Sequence, residues 1–162
     1  MLSQLTPVCP QPLLNQALAL PAMATAVVNA GSELALESAK LAFEASIIVP
    51  ILVGNIAAIQ KAAQAIEWNI DQFELIASES EEDSAAKAVQ CVHQGMAKLL
   101  MKGHLHTDVL IRALLNKEHG LRTGERLSHL FHMSVPDSDR VLCITDAVVN
   151  VSPDTKTQLS IL

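Results

Sequence analysis

One stretch, Met101-Lys-Gly-His-Leu-His-Thr-Asp-Val-Leu-Ile-Arg112, combines the residue types that handle small anions. A strand delivers Lys102 at its carboxyl end. Gly103 lets the backbone turn or approach a ligand closely, and Thr107 can cap the helix that follows. Helix N-termini in such a place bind anions through free N–H groups. Arg112 lies little more than one turn inside that helix, so its long side chain can bend back toward the same mouth. Arg122, in Gly120-Leu-Arg-Thr-Gly124, is a second candidate on a glycine-flanked loop. The competing account of these cations is ordinary solvated surface charge, and local sequence does not choose between the two.

Other constellations point to less. His104 and His106 form an HxH pair that would share a face of an extended segment, but no nearby side chain offers a third metal ligand. Hydrogen-bonding or surface histidines are the expectation, and no metal. His129 and His132 fall on opposite faces of their strand. The acidic run Glu79 to Asp83 reads as a solvated helix start suited to the positive end of the dipole. Gly54 and Gly103 make no dinucleotide fingerprint and there is no GxxxxGK loop, so neither NAD nor a nucleoside triphosphate is supported. Cys9, Cys91 and Cys143 are scattered singly, which argues against a zinc knuckle or a disulfide framework and for a reduced, cytoplasmic setting. Cys91 and Cys143 read as core residues.

Charge is unevenly shared along the 162 residues. Residues 1–86 hold two cations against ten carboxylates, whereas residues 87–162 hold nine against seven. Six of the eleven cations fall between Lys98 and Arg126. With a net charge of -6 and no extended basic face, nucleic acid is not an expected partner; a small anion such as phosphate is. The apolar segment from Leu13 to Ala24 has no preceding Lys or Arg, so it lacks the n-region of a signal peptide. The longest apolar run, Ile47 to Val53, contains Pro50 and is too short to span a bilayer, so no membrane partner is expected.

The elements that must position the mouth follow from periodicity. Four prolines in residues 1–22 predict an irregular leader. Ala26 to Asn29 predicts a strand, then a helix capped by Ser32 with Leu34, Leu36, Leu41 and Phe43 available for burial. Ile47 to Val53 is continuous and β-branched, as in a parallel strand covered on both faces. A helix over 56–66, a strand over 73–77, a helix from Ser80 to about Gln94 and a strand over 97–101 repeat the pattern. A helix from Thr107 to Leu115 follows, then strands over 127–135 and 140–145, the last feeding Asp146-Ala-Val-Val-Asn150. Such alternation predicts an α/β fold of three layers, α/β/α, on a mostly parallel sheet, with ligands beyond the carboxyl ends of the strands. The expected organisation is a leader over 1–22, an α/β domain over 23–134 and the start of a second domain over 135–162.

The residues resemble the phosphate acetyl/butyryl transferases. Four stretches carry the likeness in the family's order: Ile47-Ile-Val-Pro-Ile-Leu-Val-Gly54; Leu100-Met-Lys-Gly-His-Leu-His-Thr107 with Arg112; Gly120-Leu-Arg-Thr-Gly124 with Leu127-Ser-His-Leu-Phe131; and Ile144-Thr-Asp-Ala-Val-Val-Asn150 with Pro153. The butyryl type and relatives described as bifunctional enoyl-CoA hydratase/phosphate acetyltransferase look most similar. The resemblance implies an isocitrate/isopropylmalate-dehydrogenase-like fold of two α/β/α domains. It also implies acyl transfer between coenzyme A and phosphate, no cofactor beyond coenzyme A as substrate, and a homodimer. On the matching positions, Lys102, Gly103, His106, Thr107, Arg112 and Arg122 would bind phosphate or coenzyme A, and Asp146 and Asn150 would line the cleft.

The chain also departs from the pattern. His104 stands where the family often has a small or apolar residue, and Val135-Pro-Asp-Ser-Asp139 lacks a Pro-Gly-Tyr-like turn. The family's Ser-Arg segment and the aspartate thought to deprotonate the thiol would lie beyond Leu162, so the general base is unassigned and the chain is expected to be the first half of a two-domain enzyme. The alternatives are a non-catalytic remnant that binds acyl-CoA or a partner, and a transferase acting on an acyl carrier protein.

Overall fold

The computed structural model describes residues 9–135, 140–146, 149–150 and 152–161. Its contacts divide the chain into a larger unit, Leu18–Arg122, and a smaller one that contains everything after it. The smaller unit also takes in the chain before Leu18, and its two strands pair with each other.

The larger unit is an α/β layered fold. Strands β1 (Met23–Val28), β2 (Ile48–Gly54), β3 (Glu74–Ala77) and β4 (Leu99–Lys102) form one parallel sheet in the order β3-β2-β1-β4. Helices α2 (Glu33–Glu44) and α3 (Ile56–Ala65) cover one face, where Val27, Ile48 and Leu52 of the strands meet Leu36, Ala39, Ile59 and Ala62. Helices α4 (Glu81–His93) and α5 (Thr107–Leu114) cover the other, where Ala26, Val28, Ile51 and Val53 meet Ala85, Ala88, Val109 and Leu110. Alternate residues of β1 and β2 thus feed two separate cores, which is why these strands read as unbroken apolar runs. Three of the four aromatic side chains, Phe43, Trp68 and Phe73, close the bottom of the first core, with Phe43 and Phe73 edge to face at 4.9 Å.

Pro50 lies buried within a central strand without loss of a ladder bond. The carbonyls of Ile47 and Val53 accept from the β1 side and that of Gly54 from the β3 side, so the even-numbered residues of β2 face β3. Pairing with β3 begins only at Ile51, so the missing N–H of Pro50 falls before a partner exists. Side-chain caps start the helices: Ser32 accepts from Ala35 N, Asn55 from Ala58 N and Ser80 from Asp83 N.

Several expectations are corrected. The leader is not irregular throughout, since α1 (Gln11–Leu18) forms behind Pro10, whose carbonyl accepts from Leu13 and Leu14. Prolines at a helix start cost no bond because first-turn N–H groups have no partner anyway. Residues 1–8 of that leader lie outside the described residues. On α2 the buried face is Ala35, Leu36 and Ala39, while Leu34 and Leu41 are exposed; residues seven apart share a face, and theirs is opposite to that of Leu36. Finally, β5 (Leu130–Ser134) and β6 (Val141–Thr145) do not extend the parallel sheet but form an antiparallel pair. Their connection is far shorter than a parallel crossover requires; its residues 136–139 lie outside the described residues. Cys143 on β6 is exposed and pairs across the hairpin with His132, Sγ to Nδ1 at 3.4 Å, whereas Cys91 is buried as expected. A short helix, α6 (Thr155–Ile161), completes the smaller unit. No described helix is long and apolar enough to cross a membrane.

The two leucine environments give a direct test. Leu52→Ala, at a position with no exposure between β1 and β3, should cost about 2–5 kcal/mol in urea denaturation. Leu34→Ala, with 74% of the residue exposed, should change stability by no more than about 0.5 kcal/mol.

Candidate functional site

The strand order sends neighbouring chains to opposite faces at two places, between β2 and β3 and between β1 and β4, and the second holds the stretch from Lys102 to Thr107. After β1 the chain turns to α2 on one face; after the adjacent β4 it turns to α5 on the other. The crevice between two such exits is where open parallel sheets bind ligands, with N–H groups and loop side chains converging on it. Lys102 ends β4 opposite Val28, so the stretch from Lys102 to Thr107 lies in this crevice.

The two exits are held together tightly. Gly103 N donates to Val28 O at 2.9 Å and His104 N to Asn29 O at 3.0 Å, and the Asn29 amide donates back to His104 O. Asn29 adopts a left-handed conformation, φ 55°, that asparagine tolerates better than most residues. A Cβ on Gly103 would stand 2.5 Å from Val28 O and 2.6 Å from Asn29 O, so glycine is needed here for close approach. Buried Leu105 then anchors the turn in the second core.

His106, not Thr107, is the N-cap of α5, and its side chain makes no capping bond; Thr107 is the first helical residue. A capping box would draw an acceptor from the third helical position, but that is Val109, apolar and buried. Glu81, at the start of the neighbouring helix α4, supplies it. Its Oε2 accepts from His106 N at 2.8 Å and from the His106 ring Nδ1 at 3.0 Å. The bond from the His106 backbone, then that from its ring, holds the Glu81 carboxyl below its ordinary value. Hydrogen bonding to Glu81 and that residue's charge raise His106, with Asp108 adding and Lys102 opposing.

Lys102, Gly103, His106 and Thr107 are therefore brought together. Arg112 bends back along α5 as expected, but onto Asp108, with Nη2 at 2.8 Å from Oδ2 and Nε at 3.3 Å from the carbonyl. Arg122 is exposed at the end of the larger unit. Asp146 and Asn150 belong to the smaller unit, where they form a knot of their own. Asp146 accepts from Val149 N at 3.0 Å and Asn150 N at 3.1 Å. Asn150 donates to Asp146 and to Leu127 O, and accepts from Arg126 at 3.2 Å. Residues 147 and 148 of this segment lie outside the described residues. In the same unit Arg126, Asp154, Lys156 and Thr157 line an open depression of about 530 Å³. Among the described residues no three His, Cys, Asp or Glu side chains are placed to hold a metal ion. Sequence reasoning missed Asn29, signalled only as an asparagine after an apolar strand, and Glu81, which was assigned to solvent.

Two outcomes follow from this geometry. Gly103→Ala should cost about 1–3 kcal/mol, because two backbone oxygens and not a yielding side chain stand in the way; an unchanged urea midpoint would show that the exits separate freely. Folding moves Glu81 below 4.5 and His106 above 6.5, their ordinary values. The Glu81 share is present above 4.5 and lost as pH falls through its lowered value; the His106 share is present below 6.5 and lost as pH rises through its raised value. Thermal unfolding of Glu81→Gln beside the unchanged chain should differ most between those values, and the difference should shrink without vanishing as pH rises, since only the His106 share is lost there. A difference that stays flat from about pH 5 to about pH 9 contradicts the pair.

The family model for phosphate acetyl/butaryl transferase matches residues 76–161. Phosphate butyryltransferase of Clostridium beijerinckii is 35% identical over 150 residues, covering 93% of this chain and 50% of that protein. Phosphate acetyltransferase of Rhizobium meliloti is 38% identical over 138 residues, covering 85% and 44%. The fold is similar to that of a phosphotransacetylase from Streptococcus pyogenes, with a TM-score of 0.73 at 15% identity over 94% of this chain and 55% of that one. It is also similar to EutD phosphotransacetylase from Staphylococcus aureus, with a TM-score of 0.69 at 19% identity over 96% and 56%. This chain spans about half the length of these relatives. With its ordered motifs and a match over the larger part of its length, the chain belongs to the phosphate acetyl/butaryl transferase family.

Proposed function

We propose that the chain forms the phosphate side of an acyltransferase that moves an acetyl or butyryl group between coenzyme A and inorganic phosphate. The observation that carries this is the position of Lys102, Gly103, His106 and Thr107 in the crevice between β1 and β4, with Arg112 one turn into α5.

The chemistry asks for such a crevice. A coenzyme A thiolate attacks the carbonyl carbon of the acyl phosphate, the C–S bond forms, and the C–O bond to phosphate breaks as inorganic phosphate leaves with the electron pair. Charge grows on the phosphoryl oxygens, and positioned cations stabilise it more than they stabilise the bound reactant. Lys102 is a compact point charge at the strand end. Arg112 offers a planar fork that suits two phosphoryl oxygens, and Arg122 a further cation for the coenzyme A phosphates. Asp146 and Asn150, cleft-lining residues on the family resemblance, stand with Arg126 in the smaller unit. No general base is assigned. The working protein on this reading is a cytoplasmic homodimer with small-molecule partners and no cofactor, coenzyme A being a substrate.

Acyl-CoA formation from acetyl and butyryl phosphate, followed by intact mass, tests the activity. In an active longer protein that carries this chain, Arg112→Ala should lower kcat/KM by roughly ten- to over a hundredfold, about 1.5–3 kcal/mol, whereas Asp108→Asn, which frees the guanidinium, should not. An unchanged rate and KM in Arg112→Ala would remove that residue from the site. Saturable acyl-CoA binding with no turnover of either acyl phosphate would favour the non-catalytic remnant.

A further inference from the structure

We infer that Glu81 is a positioning residue for the β4–α5 turn: its carboxylate fixes the His106 imidazole with Nδ1 as the donor, so that Nε2 is the ring atom presented to an oxyanion of the phosphoryl substrate. The substrate named here rests on the acyltransferase reading above.

A carboxylate oxygen can only accept, so the 3.0 Å contact from Nδ1 requires the proton on that nitrogen. The same Oε2 also receives the backbone N–H of His106 at 2.8 Å, which ties the ring's orientation to its own main chain. Two degrees of freedom, tautomer and ring direction, are thus removed by one side chain arriving from another helix. Nε2 has no hydrogen-bond partner among the described residues, and 80% of the His106 side chain is exposed. Neutral, the ring offers a lone pair at Nε2; charged, it offers a second N–H.

The surroundings favour the charged form. Glu81 from α4 and Asp108 from α5 both stabilise the imidazolium, and Lys102 at the end of β4 opposes it. His104, on the same turn, also lies within the field of Glu81. An imidazolium whose Nδ1–H is already engaged has one donor left for an oxyanion, beside the Lys102 ammonium. Glu81 acts through His106 and touches no substrate, so its removal should alter protonation and anion response without altering Lys102 or Arg112.

Nitrogen NMR of the His106 ring in the 162-residue chain, titrated with and without inorganic phosphate, tests this directly. The unchanged chain should show a neutral ring protonated on Nδ1 and a titration midpoint that phosphate moves to higher pH. Glu81→Gln should mix the tautomers, lower the midpoint and lose the phosphate response; Glu81→Asp, which keeps the charge, should retain part of it. A neutral ring protonated on Nε2 in the unchanged chain, or a Glu81→Gln ring with the same tautomer and phosphate response, overturns the inference. Acyl transfer by the same samples separates the two claims. Turnover without any phosphate response of His106 overturns the positioning role alone, while a Glu81-dependent response without turnover in this chain supports the positioning role and leaves the acyltransferase reading to a longer protein that carries the chain.

Discussion

The exit of β4 leans directly on the exit of β1, and the rest of the crevice is arranged around that contact. Val28 and Asn29 present their carbonyls to the amides of Gly103 and His104 at a distance that leaves no room for a side chain. Two chains leaving a sheet in opposite directions would ordinarily splay apart. Here they are bonded to the last residue, so the crevice has a rigid floor before any ligand arrives. Preorganisation of this kind matters for charge stabilisation, since donors that must move first lose part of what they contribute.

Much of this architecture could be read from the chain itself. The unbroken apolar run through Ile51, Leu52 and Val53, buried on both faces, identified a central parallel strand, and the alternation with Ala-rich helices identified the layered fold. The mouth from Lys102 to Thr107 was legible because strand, glycine and helix signals follow one another within a few residues. What escaped was of two kinds. Asn29 meets His104 across 75 residues and Glu81 meets His106 across 25, and a local pattern carries no information about a partner that far away. Glu81 satisfied a sufficient local account, a carboxylate at a helix start, which masked its second task. The other kind is cancellation of signals. The prolines near Gln11 looked like breakers but stand where a helix start needs no N–H, and Leu34 and Leu41 looked like core but lie on the wrong side of Leu36.

The smaller unit follows different physics. Every residue of β5 and β6 is exposed, including Leu130, Phe131, Met133 and Leu142, so the hairpin builds no core. A two-stranded ribbon alone is marginal in water. Its order is supported by polar contacts: Thr145 donates to the His129 carbonyl, the His129 ring stacks edge to face on Phe131 at 4.0 Å, and Asn150 joins Leu127, Arg126 and Asp146. The larger unit, by contrast, hides its apolar surface in two cores and spends its polar contacts on the crevice.

The charges at the crevice are paired in a way that suits exchange. Arg112 and Asp108 are about two thirds exposed, and an exposed pair one helical turn apart is worth only about 0.3–0.5 kcal/mol. On the acyltransferase reading, charge-assisted bonds from the guanidinium to a doubly charged phosphoryl group, worth about 1.5–3 kcal/mol, would displace Asp108 at small cost. The carboxylate keeps the guanidinium folded back toward the mouth without holding it there. Glu81 works in the opposite sense, because it takes up the His106 amide and one ring nitrogen and so cannot be displaced without disturbing the start of α5. One carboxylate parks a mobile cation and the other locks a fixed one. On the acyltransferase reading, a crevice with a rigid floor would use both, because the anion would meet a donor already in place and recruit a second by exchange.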